Sequence, residues 1–456
     1  MTAFPLHVIV LAAGAGTRMK SGKPKVLMPL AGKPILAHVL DTARSLQPAR
    51  IHVVHGHLGD QVRAAVTDLG DIEWVHQPEQ HGTGHAVRLA MPGVPNAARV
   101  LVLFGDVPLI GIATLQKLLA VEASLAVLVA QVDDPRGYGR VVLDDNEERV
   151  RAIVEEKDAT PEQRAIRCVN SGVMVADAQR LRGWIDNLSS SNAQGELYLT
   201  DVFAQADAEG EPARVSPCSE PEEVLGANDG WQLAALERLY QGLRARALSV
   251  SGVRLSDPTR FDLRGDLRVG RDVEIDIDVI LEGLVELGDE VRIGPFCLIR
   301  NSQLAAGTVV RSHCNLDGVV THGACVIGPF ARLRPGTELA EATRVGNFVE
   351  IKNARFGTGS KANHLSYIGD ARVGNEVNIG AGTITCNYDG ANKHTTRIEN
   401  GAFIGSNTAL VAPVTIGHDA TIGAGSVISN DAPSEELTLA RSRQITVPGW
   451  QRPKKT

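Results

Sequence analysis

Features that would direct a chain to a membrane or to nucleic acid are scarce in this sequence. Aromatic residues make up only 4% of its 456 residues. No apolar run approaches the roughly 20 residues that a membrane-spanning helix requires. The net charge is −7, so no basic surface attracts nucleic acid or an anionic membrane. We therefore expect a protein with no membrane span and no nucleic-acid partner.

Closely spaced cysteines are also missing. The chain has no C-x-x-C pair, and no signal-peptide pattern precedes the first predicted strand. The six cysteines lie far apart, at Cys168, Cys218, Cys297, Cys314, Cys325 and Cys386. This distribution is typical of a reducing compartment, so we expect a cytoplasmic protein.

What the chain has in abundance is length and glycine. It exceeds the size at which a single hydrophobic core keeps growing, so at least two domains are expected. Hydrophobic residues at 43% and charged residues at 22% are ordinary globular values. The 46 glycines, together with few aromatic rings, favour a structure with many tight, repeated turns.

The first half predicts an α/β domain. From Leu6 to about Ala227, apolar runs such as HVIVLAA and RVLVLFGD alternate with helix-like segments such as PILAHVLDTARSL. This alternation predicts a mostly parallel sheet with helices on both faces. Ligands of such sheets bind beyond the carboxyl ends of the strands, so the loops there are the candidate site. After this region, residues 230–250 carry apolar residues at helical spacing and predict one linker helix.

Beyond Arg268 the apolar period changes to six residues. A six-residue period fits neither a helix nor a simple strand, but it is typical of a hexapeptide β-helix, in which each unit forms one short, flat face. The simpler alternative is that an ordinary β domain shows this spacing by chance. Chance does not account well for so many apolar residues at the same six-residue spacing. The matching positions are Val269, Ile275, Leu281, Leu287, Ile293, Ile299, then Ile327, Leu333, Leu339, Val345, Ile351, and then Ile398, Ile404, Leu410, Ile416, Ile422 and Ile428.

A polar segment interrupts the repeat between Thr385 and Arg397 (TCNYDGANKHTTR). Insertions in solenoids form loops on one face and often carry function. We therefore expect a functional loop at this point.

The first chemical motif follows the first predicted strand. The segment from Leu11 to Leu27, LAAGAGTRMKSGKPKVL, combines a glycine-rich turn with Arg18 and Lys25 as cations for a polyphosphate. It is not a P-loop, because no Gly-Lys-Ser/Thr follows. It is not a dinucleotide fingerprint either, because Met19 replaces the third glycine.

Taken with later segments, this motif resembles a known family over nearly the whole chain. The L-A-A-G-x-G-T-R-M and P-K-V-L elements are similar to the sugar-1-phosphate nucleotidylyltransferase signature. With the hexapeptide repeat, the chain resembles the bifunctional bacterial N-acetylglucosamine-1-phosphate uridylyltransferase/glucosamine-1-phosphate acetyltransferases. The further matching segments are QPEQHGTGHA, FGDVPL, GYGR, IVEEKDA, VNSG and GAND.

The resemblance implies a nucleotide site in the first domain. It places Arg18 and Lys25 in catalysis and Asp106 with Asn228 on Mg²⁺. It assigns Gln77, Gly82 and Thr83 to the uracil. It assigns the remaining residues to the bound UDP-sugar: Leu11, Ala12, Ala13, Gly14, Phe104, Gly105, Gly139, Glu155 and Asn170.

The resemblance also implies an acetyl-transfer site in the repeat domain. His364 is the general base, a role suited to a side chain that titrates near neutrality. Arg334, Lys352, Tyr367 and Asn378 surround the sugar phosphate. The positions implied for acetyl-CoA are Ala381, Asn387, Tyr388, Ser406, Ala424 and Arg441.

Simpler interpretations exist for several of these residues. Asp106 at a strand end could be a helix N-cap, and His364 could be a solvated corner residue. His81 and His85 suggest zinc, but no partnered Cys or Glu-x-x-His pattern accompanies them. The chain also departs from its relatives at Phe104, where Tyr is frequent. Two further departures are Asn363, where a small residue or Pro is frequent, and Ser366, where Thr is common.

The resemblance implies an enzyme with two activities. It would acetylate glucosamine-1-phosphate from acetyl-CoA and then transfer uridylyl from UTP to N-acetylglucosamine-1-phosphate, supplying cell-wall and lipopolysaccharide synthesis. The predicted organisation is a Rossmann-like domain over residues 1–229, a linker helix over 230–250, and a left-handed β-helix over 251–456, assembled as a homotrimer. The alternatives are a single-activity nucleotidylyltransferase with a regulatory β-helix, and a trimerising scaffold with a metal site.

Overall fold

The computed structural model describes residues 4–14, 16–56, 58–146, 148–453 and 455. Ala15, in the glycine-rich segment, lies outside the described residues. The chain divides into two compact units between Tyr240 and Gln241. The division falls inside the predicted linker helix, not at either of its ends.

The first unit alternates strands and helices, as the apolar pattern predicts. Short 3-10 turns at Thr17–Met19 and Lys25–Leu27 follow the first strand. The strands are β1 Leu6–Ala12, β2 Pro29–Leu30, β3 Lys33–Pro34, β4 Arg50–His55, β5 Ile72–His76, β6 Arg99–Phe104, β7 Leu125–Gln131, β8 Arg140–Leu143, β9 Arg149–Val154, β10 Cys168–Asp177 and β11 Ala213–Pro217. The helices are α1 Ile35–Ser45, α2 Gly59–Ala65, α3 Thr83–Ala90, α4 Ile112–Leu119, α5 Pro161–Arg164, α6 Ala178–Asp186 and α7 Asp201–Ala208, with α8 Gly230–Val250 spanning the linker range.

The main sheet is mostly parallel, as predicted, but not wholly so: seven of its nine strands run in one direction, and β9 and β10 run in the other. Its order is β5-β4-β1-β6-β10-β7-β11-β9-β8. The run β5-β4-β1-β6 is parallel, but β10 is antiparallel to both β6 and β7, and β8 and β9 also pair antiparallel. A buried apolar run does not encode strand direction, which is set by the connections.

Both faces of this sheet are covered. In β1, Val8 and Val10 pack into one core and Ile9 packs into the other, because successive side chains point to opposite faces. Packing on both faces of the sheet holds its strands in place. Loops at the strand ends are thereby fixed in position.

Two buried histidines interrupt the apolar strands of this sheet. The Nδ1 atom of His7 lies 3.0 Å from Nε2 of His52, and both rings are at least nine-tenths buried. Burial lowers the pKa of His7 and lowers the pKa of His52 to about 4, although Glu73 beside them opposes the shift. Arg50 acts in the same direction as burial. The folded unit therefore holds both rings neutral.

We expect acid to destabilise the first unit through these rings. The unfolded chain protonates histidine below about pH 6.5. The stability they contribute is therefore complete above that pH and is lost as the pH falls towards 4. Calorimetric unfolding between pH 7.5 and 4.5 should show a steep fall in the wild type and a shallower one in His52→Leu. The exposed His81→Leu control should keep the wild-type slope, and equal slopes in all three proteins would contradict this account.

Helix α8 contributes to the core of each unit with different residues. Leu236 is buried in the first unit, and Ala245 is buried in the core of the second. The predicted apolar stripe also included Leu243 and Ala247, which are exposed. In the second unit the buried residues of the helix are Gln241 and Ala245. The Gln241 side-chain amide donates to the Leu263 carbonyl at 3.0 Å and accepts from the Leu263 backbone N–H at 2.8 Å.

The second unit is a parallel β-helix with three columns of short strands. Column one contains Arg254–Leu255, Glu274–Ile275, Arg292–Ile293, Val309–Val310, Val326–Ile327, Arg344–Asn347, Lys361–His364, Asn378–Ile379, Phe403–Ile404, Thr421–Ile422 and Leu437–Thr438. Two long strands, Phe261–Val269 and Val279–Leu287, begin columns two and three together. Column two continues with Leu298–Arg300, Asn315–Asp317, Arg332–Leu333, Glu350–Lys352, Tyr367–Gly369, Ile384–Cys386, Ala409–Val411 and Val427–Ile428. Column three continues with Gln303–Leu304, Val319–Thr321, Thr337–Leu339, Arg355–Phe356, Ala371–Val373, Thr396–Ile398 and Val414–Ile416.

The residues at the six-residue spacing form the core of this unit. Every predicted repeat position from Ile275 onward is buried, and Val269 packs against the same core. The small or β-branched residues four places later are also buried, as at Thr408, Val414 and Ser426. The predicted fold class, an α/β nucleotidyltransferase domain followed by a hexapeptide β-helix, is confirmed. No described helix has both the length and the apolar character needed to cross a membrane.

Candidate functional sites

The first candidate site lies where parallel strands of the α/β unit end together. The register pairs Leu11 with Phe104 and Ala12 with His55, so β1, β4 and β6 finish at one edge. A cavity of about 300 Å³ opens there. Its lining includes ten predicted residues: Leu11, Ala12, Ala13, Gly14, Lys25, Gln77, Gly82, Thr83, Phe104 and Asp106.

Three of the predicted polar residues converge beside this cavity. The Lys25 ammonium is ion-paired with the Asp106 carboxylate and donates to the Asn228 amide oxygen at 3.1 Å. The side chains of Lys25 and Asp106 are only 14% and 19% exposed. Two hard oxygen ligands thus converge on one cationic atom. This donor set fits Mg²⁺, which binds through one or two protein oxygens and substrate phosphates.

The far wall of the cavity presents a buried amide. Gln77 is 3% exposed, and its Nε2 donates to the Gly82 carbonyl at 3.2 Å. Gly82 has φ of 99°, and a Cβ there would lie 2.6 Å from the carbonyl oxygen of Leu197. Only glycine fits this turn. The turn begins α3 and brings Thr83 to the cavity wall.

A second cavity of about 270 Å³ holds the residues implied for the sugar, Gly139, Glu155 and Asn170. The Asn170 backbone N–H donates to the Gly139 carbonyl at 2.9 Å, and Glu155 accepts from Thr200 Oγ1 at 3.2 Å. Burial raises the pKa of Glu155, although the bond from Thr200 opposes the shift. The site therefore offers carboxyl and amide groups for sugar hydroxyls.

Phe104 joins the parts of the cleft. It lines both of these cavities and a third one that contains Asp106 and Asn228. The pairing of β10 shifts register between Asn170 and Met174, and Gly172 in this bulge has φ of 83°. A Cβ on Gly172 would collide with the Phe104 ring, so the glycine makes room for it.

Two predicted residues line none of these three cavities. Arg18 lies exposed on the 3-10 turn Thr17–Met19. Gly105 donates its backbone N–H to the Leu11 carbonyl at 2.9 Å, and so holds the strand ends together. Sequence reasoning missed Gln80 and Glu196, which do line the first cavity. Gln80 donates to the Ala13 carbonyl at 2.6 Å and steadies the glycine-rich turn.

The second candidate site lies on the β-helix. His364 ends the strand Lys361–His364, and its Nδ1 lies 2.8 Å from the Asn347 side-chain oxygen, one coil away in register. An amide oxygen only accepts, so Nδ1 carries the proton and Nε2 keeps its lone pair. Asn347 therefore orients the ring. No motif in the sequence marks Asn347 for this role.

The cations implied for the sugar phosphate form a group. Arg334 pairs with Glu350 at 2.9 Å. The pKa of Lys352 is lowered, first by a hydrogen bond with Lys393 and then by the charge of Lys393, with a smaller effect of Arg334. Lys393 belongs to the polar insertion and was missed by sequence reasoning. Three cations that repel one another favour a bound dianion.

Two more residues implied for the sugar lie on neighbouring columns. Tyr367 begins the strand Tyr367–Gly369, and its hydroxyl fills the space beside Gly369 that a side chain would need. Asn378 begins the next strand of column one, directly opposite Lys361 in the register. His364 and Tyr367 thus lie on consecutive strands of one coil, and Asn378 lies on the column-one strand of the next coil.

The polar insertion is shorter than predicted. Its ends, Thr385–Cys386 and Thr396–Arg397, are strand residues in register with neighbouring coils, so only residues 387–395 form the loop. Polar residues at the ends hid these strands, because only every second side chain is buried. Asn387 is 8% exposed and donates to Asp370 of its own chain. Tyr388 is 60% exposed.

The residues implied for acetyl-CoA lie mainly along one corner. Ala381, Ser406 and Ala424 occupy equivalent turns of successive coils, since the Ala381 carbonyl accepts from Asn407 at 2.7 Å and the Ser406 carbonyl accepts from Gly425 at 2.8 Å. Arg441 donates to the Ala424 carbonyl at 2.8 Å. Asn387 and Tyr388 lie elsewhere: they follow the column-two strand Ile384–Cys386, whereas Ala381 precedes it.

Comparison with known proteins identifies the family. Residues 8–244 match the MobA-like NTP transferase domain, and residues 395–430 match the bacterial transferase hexapeptide (six repeats). The chain is 60% identical to the bifunctional protein GlmU of Stenotrophomonas maltophilia over 99% of both chains. It is 57% identical to that of Xylella fastidiosa strain M12, over 99% of this chain and 98% of the relative, and 60% identical to that of Xanthomonas axonopodis pv. citri, over 99% of both. The chain belongs to the GlmU family.

Membership of the GlmU family confirms the predicted enzyme class. The chain is a bifunctional transferase with uridylyltransferase and acetyltransferase activities. The alternatives of a single-activity nucleotidylyltransferase and of a structural scaffold are not favoured. Among the described residues, no group of three or more His, Cys, Asp or Glu side chains is arranged to hold a metal ion.

Proposed function

We propose that each reaction of this GlmU-family chain occupies one unit. Residues 1–229 carry uridylyl transfer, residues 251–456 carry acetyl transfer, and the helix over 230–250 links them. The observation that carries this proposal is the occurrence of two chemically distinct polar sites, one around Lys25 and Asp106 and one around His364, each built within a single unit.

In the first site, the sugar phosphate attacks the α-phosphorus of UTP and pyrophosphate leaves. Asp106 and Asn228 would hold Mg²⁺, which supplies charge neutralisation on the phosphates when it is bound. Lys25 adds a second positive charge from the wall of the same cavity. The buried Gln77 amide reads the uracil edge, and Glu155 and Asn170 orient the sugar.

In the second site, the amine of glucosamine-1-phosphate attacks the thioester carbon of acetyl-CoA, so that an amide C–N bond forms, the C–S bond breaks and coenzyme A leaves. His364 accepts the amine proton at Nε2, because Asn347 holds Nδ1 as the donor. Arg334, Lys352 and Lys393 bind the sugar phosphate. Ala381, Ser406, Ala424 and Arg441 line the corner along which acetyl-CoA lies, and the amide product then passes to the first site. We expect this work in the cytoplasm, as a supply of UDP-N-acetylglucosamine for cell-wall synthesis.

The products of a mixed incubation test this function. The protein is supplied with glucosamine-1-phosphate, acetyl-CoA, UTP and Mg²⁺, and the mixture is separated and identified by mass. We expect UDP-N-acetylglucosamine, free coenzyme A and pyrophosphate. Coenzyme A without a UDP-sugar, or a UDP-sugar without acetylation, would contradict the assignment of both reactions to this chain.

A homotrimer completes the acetyl-transfer site. One corner of the β-helix presents an exposed apolar ridge, formed by Phe296, His313, Phe330, Phe348 and Leu365, with ring centroids 4.6–5.3 Å apart. Leu365 is 62% exposed and directly follows His364. A ridge of this kind is typical of a buried interface. A second copy that covers it would enclose His364.

We expect mixed trimers to recover activity. Of the two loop residues implied for acetyl-CoA, Tyr388 is exposed, whereas Asn387 is buried and bonded to Asp370 of its own chain, so Tyr388 is the one of the two placed to reach a neighbouring copy. Mixing inactive His364→Ala chains with Tyr388→Ala chains under subunit exchange should restore acetyl transfer above the sum of the two alone. A matched mixture with His364→Ala and Lys352→Ala chains reports whether recovery depends on the loop. A fully active monomer in light scattering would contradict the shared site.

A further inference from the structure

Column three of the β-helix carries three arginines directly above one another. The parallel register pairs Arg355 with Arg372 and Arg372 with Arg397. All three side chains point outward and are exposed. Neighbouring strands are about 4.8 Å apart, so each guanidinium lies next to a like charge. The residues assigned to the two reactions lie outside this column.

At several other ladder positions of the β-helix, opposite charges face each other. Arg264 and Arg300 flank Glu282 in the register, with Arg264 Nη1 at 3.1 Å and Arg300 Nε at 2.8 Å from its carboxylate. Arg268 pairs with Glu286 at 2.8 Å. Alternation of this kind removes repulsion between coils. The arginine ladder of column three lacks it.

Only one arginine of the ladder has a charged partner among the described residues. Arg355 pairs with Glu338 on the preceding coil, at 2.8 Å. Among the described residues, no ion pair or hydrogen bond involves the side chain of Arg372 or Arg397. Glu399 is nearby, but its carboxylate accepts from the His418 backbone N–H at 3.0 Å.

A surface hollow lies beside the three arginines. It has a volume of about 260 Å³ and is lined by the three arginines together with Val373, Gly374, Ile398 and Glu399. Val373 and Ile398 are buried and Gly374 has no side chain, whereas the three arginines are exposed. Guanidinium groups bind phosphate oxygens in pairs, with a geometry that a single ammonium does not provide.

We propose that the arginine ladder binds an oligophosphate, either free or as the tail of a nucleotide, at a site separate from both reactions. A linked chain of phosphates offers oxygen atoms to each guanidinium in turn, whereas a single orthophosphate meets two at most. The overall charge of −7 makes this local cationic stripe stand apart from the rest of the surface. Binding removes the repulsion between neighbouring coils.

Calorimetric titration of the full-length protein with inorganic triphosphate tests the proposal. Excess UDP-N-acetylglucosamine fills the nucleotide cleft and excess glucosamine-1-phosphate fills the sugar-phosphate site of the β-helix, so that triphosphate binds at neither. We expect about one triphosphate per chain, with an affinity that falls as salt rises. The Arg372→Gln/Arg397→Gln variant should lose at least about tenfold in affinity, while its uridylyl and acetyl transfer rates stay at the wild-type level.

The matched control is Arg268→Gln/Arg271→Gln, which removes the same charge from exposed arginines that are paired with Glu286 and Asp289. It should bind triphosphate as the wild type does. Equal loss in both double variants, or no binding by the wild type, would overturn the proposal. Repeating the titration with ATP and with orthophosphate identifies the source, because a nucleotide tail gains affinity over triphosphate only if the base is also bound. Orthophosphate that binds as tightly as triphosphate would contradict the ladder geometry.

Discussion

His364→Ala is expected to abolish acetyl transfer while uridylyl transfer continues at the wild-type rate. Loss of a general base lowers rates by roughly 10²–10⁴-fold. His364 is exposed and its side chain holds only Asn347, so its removal leaves no buried cavity. The measurement is coenzyme A release from acetyl-CoA and glucosamine-1-phosphate, set beside pyrophosphate release from UTP and N-acetylglucosamine-1-phosphate.

Two further variants define the role of the ring. His322→Ala removes another exposed β-helix histidine and should leave both rates unchanged. Asn347→Leu keeps the base but removes the hydrogen bond that places the proton on Nδ1 of His364. We therefore expect kcat for acetyl transfer to fall less than in His364→Ala, and the pH profile of acetyl transfer to shift. Wild-type acetyl transfer in His364→Ala would show that another group removes the proton. Loss of both activities in a folded variant would contradict the separation of the sites.

Asp106→Asn is expected to have the reverse effect. Replacing the carboxylate removes the one negatively charged oxygen that converges with Asn228, and uridylyl transfer should fall at least about a hundredfold. Acetyl transfer should be unchanged. The variant should also need more Mg²⁺ for half-maximal pyrophosphate release, whereas a helix-capping role for Asp106 predicts lower stability with no change in Mg²⁺ dependence.

Asp133→Asn provides the matched control for that experiment. Asp133 lies in the same unit with a fully exposed side chain 3.4 Å from Arg167, and its substitution removes the same charge. We expect it to retain wild-type rates and Mg²⁺ dependence. A similar loss in both variants would indicate a general electrostatic effect, and the Asp106 assignment would then be wrong.

The sequence predicted the fold because both units obey simple periodicities. Buried residues six positions apart, in three separate runs between Ile275 and Ile428, identified the β-helix, and the alternation of apolar runs and helices identified the α/β unit. Strand direction was not predictable in the same way. β10 runs antiparallel to its neighbour β6, because direction depends on connections that the local pattern does not record.

The sites were predictable only where a motif marks them. The glycine-rich turn, Lys25 and Asp106 belong to such motifs and meet at one cavity. Asn347 and Lys393 carry no motif, and they reach His364 and Lys352 only through the coil register and the folded loop. Arg18 shows the reverse, since it belongs to a motif but lies outside the cavity. The arginine ladder required the register, because its members are 17 and 25 positions apart in the chain.

The loop formed by residues 387–395 shows how this architecture acquires new chemistry. The strands before and after the loop keep their pairing with adjacent coils, since Cys386 pairs with Val411 and Arg397 pairs with Arg372. Each coil is bonded only to its two neighbours, so extra residues at a corner disturb no distant contact. The length of a corner loop can therefore change in one coil without altering the others. Substrate range can then diverge between relatives while the β-helix that supports the loop stays the same.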